Sequence, residues 1–183
     1  KLLEMSSKIV SLIMKISKYP EQKHVVFSFF KTKSGIKLIK NLLTRCGFRC
    51  LTFSGDESPS DKKSILDRFN AVENRYGQKY QVLLITDAGS EGINLRNTRY
   101  VHIMEPYWHP VRVEQVIGRA RRICSHQNLP KELQTVEVFV YLMVFSNAQL
   151  KSNEAIELKR KDLSKRAPKV PFTSDQYLYE ISE

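Results

Sequence analysis

The run Gln115-Val-Ile-Gly-Arg-Ala-Arg-Arg122 carries the densest chemistry in the chain. On a helix Gln115, Arg119 and Arg122 stand four and three residues apart and share one face. Two guanidiniums aimed together repel unless an anion lies between them. Neutralising the charge that develops on a transferring γ-phosphoryl group is a task with this requirement. Composition also supports a plainer reading, a solvated basic helix. A second set of residues closes four apolar runs: Phe29-Phe30-Lys31, Phe53-Ser54-Gly55-Asp56, Ile85-Thr86-Asp87-Ala88-Gly89 and Met104-Glu105-Pro106. Ligands of open α/β sheets gather at the carboxyl ends of strands, and small, hydroxyl and acidic residues beside Gly let a ligand approach the backbone there.

The elements that must position these residues alternate. Apolar residues at threes and fours from Leu2 to Ile16 predict a helix stopped by Tyr19-Pro20. His24–Phe30 is short and almost wholly apolar, as a strand covered on both faces should be. Ser34 is placed to cap a helix through Cys46 that Gly47 closes. Strands are expected at Phe48–Phe53, Tyr80–Thr86, Tyr100–Glu105 and Val136–Val144. Helices are expected from Ser60 through Phe69, over Pro110–Ile123 with Pro in the first turn, and over Asn147–Arg166. The pattern predicts a mostly parallel sheet with helices on both faces. Residues 1–146 are expected to form this α/β domain, with 147–183 a C-terminal helix and tail packed on it or extending from it.

The 183 residues hold 42% apolar side chains with 7 Gly and 7 Pro, enough to bury a core. Thirty Lys and Arg against 19 Asp and Glu leave a net charge of +11, a surface suited to a polyanion. Three cysteines, Cys46, Cys50 and Cys124, are too few and too odd for a disulfide framework. Their spacing, even with His126, fits no standard zinc knuckle, so no metal site is expected. No apolar run reaches the length of a membrane span, and no membrane partner is expected. The chain starts inside a helical pattern, as a piece of a longer protein would. From Lys151 to Lys169 basic residues outnumber acids, which fits a solvated outer helix or an arm that touches nucleic acid. Trp108 can stack on a base or pack over the sheet edge.

Thr86-Asp-Ala-Gly-Ser-Glu-Gly-Ile-Asn-Leu95 followed by Gln115-x-x-Gly-Arg-x-x-Arg122 resembles motifs V and VI of superfamily 2 helicases and translocases. Glu105-Pro-Tyr-Trp-His-Pro110 between them is similar to the Swi/Snf-type branch. Arg121-Arg-Ile-Cys-Ser-His126 resembles the helicase-like transcription ATPases of large cytoplasmic DNA viruses, the poxvirus early transcription factor small subunit and nucleoside triphosphatase type among them. The resemblance implies a RecA-like α/β domain with a C-terminal helical extension. It also implies the second motor domain of a nucleic-acid-dependent ATPase.

Carried over position by position, the resemblance makes Arg122 the arginine finger, Arg119 its neighbour on the phosphates and Gln115 the third motif VI residue. Glu91, Gly92 and Asn94 match the part of motif V at the nucleotide and domain interface. Lys31, Ser54, Gly55, Ser58, Thr86 and Asp87 match the nucleic-acid track, where backbone N–H groups and hydroxyls hold phosphates without reading bases. Lys33, Lys62 and Lys63 add attraction or are merely solvated. The chain holds no phosphate-loop motif and no Asp-Glu box. ATP and Mg²⁺ are therefore expected to be completed by an N-terminal motor domain of the same polypeptide, and this chain alone is expected to be inactive. The other partners implied are DNA or RNA and RNA polymerase or transcription factor subunits. The expected location is host cytoplasm or virion for a viral protein and nucleus otherwise. A second function class stays open: a noncatalytic basic module that binds nucleic acid or a transcription partner.

Overall fold

The computed structural model describes residues 6–31, 35–87, 92–152, 163 and 170–182. Five strands, β1 (Lys23–Phe27), β2 (Cys50–Phe53), β3 (Val82–Ile85), β4 (Thr98–Ile103) and β5 (Glu137–Val140), form one sheet in the order β2-β3-β1-β4-β5. Every pairing is parallel. The six α-helices among the described residues are α1 (Ser7–Lys18), α2 (Ile36–Arg45), α3 (Pro59–Asn70), α4 (Pro110–Ala120), α5 (Asn147–Lys151) and α6 (Ser174–Ser182).

The period of two along β1 divides the core. Val26 joins Ile9, Leu12 and Ile16 of α1 and Ile36, Ile39 and Leu43 of α2 on one face. Val25 and Phe27 join Phe69 of α3 and Val116, Ile117 and Ala120 of α4 on the other. Strands β1, β3 and β4 are buried along their whole length; β3 reads as an unbroken apolar run, whereas β1 also buries Lys23 and His24 and β4 buries Thr98, Arg99 and His102. The expected doubly covered parallel sheet is the fold observed.

Element ends depart from the sequence expectations, each for a local reason. The cap of α2 is Gly35, which supplies no side-chain bond; Ser34, the expected cap, lies outside the described residues. A Cβ on Gly35 would stand 1.8 Å from the Phe30 carbonyl oxygen, so that turn admits no side chain. At the other end Gly47 has φ +87 and the Phe48 N–H reaches the Leu43 carbonyl at 3.0 Å, a left-handed closure. Ser58, not Ser60, caps α3: its hydroxyl oxygen accepts from the Asp61 N–H, and Pro59 takes the first helical position. Of the helix expected over 147–166 the described residues hold α5, with a capping box at Ser146 and Gln149 and an extended Ser152 at its end. Residues 153–162 and 164–169, which hold most of the basic run, lie outside the described residues.

Two buried polar groups tie the sheet to its surroundings. His24 and His102 face each other across β1 and β4. The Tyr141 hydroxyl lies 2.8 Å from His102 Nδ1, His102 Nε2 lies 3.0 Å from His24 Nδ1, and His24 Nε2 lies 3.1 Å from the Tyr19 carbonyl. With both rings neutral, every link has one donor and one acceptor: Tyr141 donates to His102, His102 to His24, and His24 to the carbonyl. Burial holds the His24 pKa down at about 4 and that of His102 well below its ordinary value. Lys23, fully buried, donates to the Phe69 and Arg96 carbonyls at 2.6 Å each and lies over the Phe69 ring. Burial lowers its pKa to about 7.

Candidate nucleotide and nucleic-acid interface

At the carboxyl end of the sheet the loops after β1, β2 and β3 are hydrogen-bonded to one another. Thr86, buried, donates its hydroxyl to the Ser54 carbonyl at 2.8 Å, and its N–H reaches the Phe53 carbonyl at 3.2 Å. Glu105 accepts from the Ser28 hydroxyl at 3.0 Å and from the Phe29 N–H at 3.1 Å; burial raises its pKa. Lys31 forms an ion pair with Asp56, and the bond from Lys31 lowers the Asp56 pKa.

Ser54 and Gly55 already hold a carboxylate. Glu57 accepts from the Ser54 N–H at 2.9 Å, the Ser54 hydroxyl at 2.9 Å and the Gly55 N–H at 2.8 Å. Burial pushes the Glu57 carboxyl up, but these bonds outweigh it and the net pKa is lowered. The loop thus forms an anion-binding concavity of backbone and hydroxyl donors. Glu57 is a residue that sequence reasoning missed, because its partners were read only as track residues. Ser58 is engaged as the α3 cap and also donates to Asp61 at 2.7 Å.

Asp87 forms an ion pair with Arg112 of α4. Both line a cavity of about 440 Å³ with Tyr107, Trp108, His109 and Gln115. Tyr107 stacks on Phe29 at 4.3 Å, and Trp108 is 58% exposed beside it. Gln115 therefore sits at the strand-end pole.

Arg119 and Arg122 occupy the other end of α4. The expected helix to Ile123 stops at Ala120 because the Ser125 hydroxyl takes the Ala120 carbonyl at 3.0 Å, and Cys124 turns the chain with φ 64. His126 fixes that turn, 2.7 Å from the Ser125 hydroxyl and 2.6 Å from the Thr98 carbonyl. Arg122 thus leaves the helix that carries Gln115 and Arg119. It lines a separate cavity of about 580 Å³ with Arg121, Cys124, His126 and Gln134.

The motif V arm runs beside this turn. Glu91 lies outside the described residues; Gly92, Asn94 and Arg96 are exposed while Ile93 and Leu95 enter the core. Arg96, on the same outward face, was not singled out from the sequence, although the in-out alternation would have found it. The Leu95 N–H reaches the Arg119 carbonyl at 3.3 Å and the Asn97 N–H reaches the Ser125 carbonyl at 2.8 Å. The arm and the end of α4 are one bonded unit.

Residues 5–124 match the helicase conserved C-terminal domain family. The chain belongs to this family. It is 34% identical over 165 residues to a protein of Acanthamoeba polyphaga mimivirus named as an ATP-dependent RNA helicase, R563, covering 84% of this chain and 29% of that protein. It is 38% identical over 96 residues to a termination factor NPH-I homolog of African swine fever virus, covering 52% of this chain and 14% of that protein. The chain therefore spans less than a third of the length of these relatives. The C-terminal part of the Fun30 ATPase domain superposes with a TM-score of 0.57 at 19% identity, over 74% of this chain and 41% of that one. Domain 2 of the Mss116p DEAD-box helicase, solved with an RNA duplex, gives 0.54 at 17% identity over 73% and 49%. These likenesses show the RecA-like fold. Among the described residues no helix is long and apolar enough to cross a membrane.

Proposed function

We propose that the chain is the second motor domain of a nucleic-acid-dependent ATPase, with residues 1–146 the motor domain and 147–183 its C-terminal helix and tail. The observation that carries the reading is the bonding of the α4 end to the motif V arm through Leu95–Arg119 and Asn97–Ser125. It gives Gly92, Asn94, Arg119 and Arg122 one rigid support, distinct from the strand-end pole. ATP is bound between that support and a Walker-motif half supplied by another domain of the polypeptide, with Glu91 of motif V assigned to the same interface. Among the described residues no three His, Cys, Asp or Glu side chains are grouped to hold a metal ion. Mg²⁺ is assigned to the other half, where the phosphate-loop and Asp-Glu motifs would hold it.

Arg122 is the finger and Arg119 its neighbour. A guanidinium held against the γ-phosphoryl oxygens neutralises charge as it develops, an effect worth about 10³ to 10⁵ in rate. The track is assigned to the strand-end loops of Lys31, Ser54, Gly55 and Thr86, where a DNA or RNA phosphate takes the Ser54 and Gly55 donors by displacing the Glu57 carboxylate and Lys31 by displacing Asp56. The name of the termination factor homolog accords with a role in transcription; RNA polymerase or transcription factor subunits are the proposed partners, and the proposed location is host cytoplasm or virion for a viral protein and nucleus otherwise. The test is Arg122→Ala in the polypeptide that joins both halves. Turnover falls by about 10³ or more while nucleic-acid binding stays unchanged; an equal loss of both would move Arg122 from catalysis to binding.

A further inference from the structure

Helix α3 connects the two poles. It begins at Ser58, in the loop that holds the Ser54–Gly55 concavity, and ends at Asn70, roughly 18 Å away for twelve helical residues. At that end the Asn70 carboxamide is used twice on the motif V arm. Its Nδ2 donates to the Asn94 carbonyl at 2.8 Å, and its Oδ1 accepts from the Arg96 N–H at 2.8 Å. The preceding residue, Phe69, is fully buried in the cluster that contains Ile93, Leu95, Val116, Ile117 and Ala120. Its carbonyl shares Lys23 Nζ with the Arg96 carbonyl. From the arm, the Leu95 N–H continues to the Arg119 carbonyl. A side chain that spans the main chain of two residues at once fixes both the height and the rotation of that segment.

We propose that Asn70 is a positioning residue for hydrolysis, clamping the Asn94–Arg96 backbone to the end of α3 so that nucleic acid engaged at the Ser54–Ser58 end sets the placement of Arg119. The proposal rests on the motor reading above and adds the route by which the track stimulates turnover. Helix α3 carries the displacement to the arm through Phe69, its one buried residue, and through the two bonds of Asn70. Breaking the clamp uncouples the poles without substituting a residue assigned to either ligand; on the nucleotide side it releases only the Asn94 main chain.

The experiment compares Asn70→Ala and Asn70→Asp with wild type in the polypeptide that joins both motor halves. Asn70→Ala removes both bonds. Asn70→Asp keeps the acceptor for the Arg96 N–H but sets a carboxylate against the Asn94 carbonyl, and it retains the size of the side chain. The expected result for both is a ratio of stimulated to unstimulated kcat lowered roughly 2- to 30-fold, the usual range for a coupling residue. The Kd for a single-stranded or duplex oligonucleotide and the KM for ATP stay as in wild type.

Hydrogen exchange on the 183-residue chain supplies a local readout. The Arg96 amide loses protection in Asn70→Ala and keeps it in Asn70→Asp. Wild-type stimulation in a folded Asn70→Asp protein would overturn the proposal, as would a loss of turnover matched by an equal loss of oligonucleotide affinity. If Asn70→Ala fails to fold, Asn70→Asp alone decides. A wild-type protein that nucleic acid does not stimulate would overturn the motor reading itself, and the variants are not needed to see it.

Discussion

Acidification should destabilise this domain before most of its carboxylates titrate. The perturbation is the protonation of His24 and His102, whose chain from Tyr141 to the Tyr19 carbonyl is complete only when both rings are neutral. In the unfolded chain a histidine takes up its proton as pH falls through about 6.5. In the folded chain His24 resists until about 4. Between those values the unfolded state binds more protons, so stability is fully present above about 6.5 and drains away as pH falls. For His24 alone the loss from pH 7 to pH 4.5 is about 2.5 kcal/mol, at 1.36 kcal/mol per pH unit. His102, shifted the same way by burial, His24 and Lys15, adds to it. The melting temperature should drop by roughly 5 to 10 °C or more for a chain of this size.

Asp56 and Glu57, whose pKa values are lowered, lose their contribution only at lower pH. Glu105, raised by burial, works in the opposite sense. Thermal unfolding across that pH range should therefore be run beside a His24→Gln/His102→Gln double variant, whose curve lacks the imidazole slope. Parallel curves for the two proteins would refute the neutral-pair reasoning.

Ser125→Ala removes the hydroxyl that stops α4 at the Ala120 carbonyl and should cost about 1 to 2 kcal/mol by urea unfolding; in the joined protein it should also lower turnover, because the Arg122 turn loses its anchor. Gly35→Ala drives a Cβ into the Phe30 carbonyl and should destabilise by about 3 kcal/mol or more, read from the urea midpoint at constant slope. Lys31→Ala should weaken oligonucleotide binding alike for all sequences and reduce the log–log salt slope by about one. An unchanged slope would show that Lys31 spends its charge on Asp56 alone.

The fold was legible because its signals are local. Runs such as Val25-Val26-Phe27 and Val82–Ile85 are apolar on both faces, and the helices between them carry their stripes within a few turns. Motifs V and VI were legible because their residue types and spacing are unusual. What the sequence hid depends on contacts between distant segments. Ser125 stops α4 by bonding back to Ala120 and is itself held by His126 against Thr98, so periodicity alone ran the helix on to Ile123. His24 and His102 lie far apart in the chain and meet only because β1 and β4 pair. Glu57 is three residues from Ser54, yet its role needs the loop conformation that aims two N–H groups at one carboxylate. Asn70 reads as an ordinary helix end until the arm from Gly92 to Arg96 is laid beside it.

A split ATP site is tested by ATP hydrolysis by the joined polypeptide and by this 183-residue chain, each without nucleic acid and with single-stranded DNA, duplex DNA and RNA. Stimulated turnover by the joined protein, with none from the chain alone, is the result expected of a split ATP site, and the strongest stimulator identifies the track. Folded joined protein that binds nucleic acid but hydrolyses no ATP under any of these conditions would contradict the motor assignment and leave a binding module in its place.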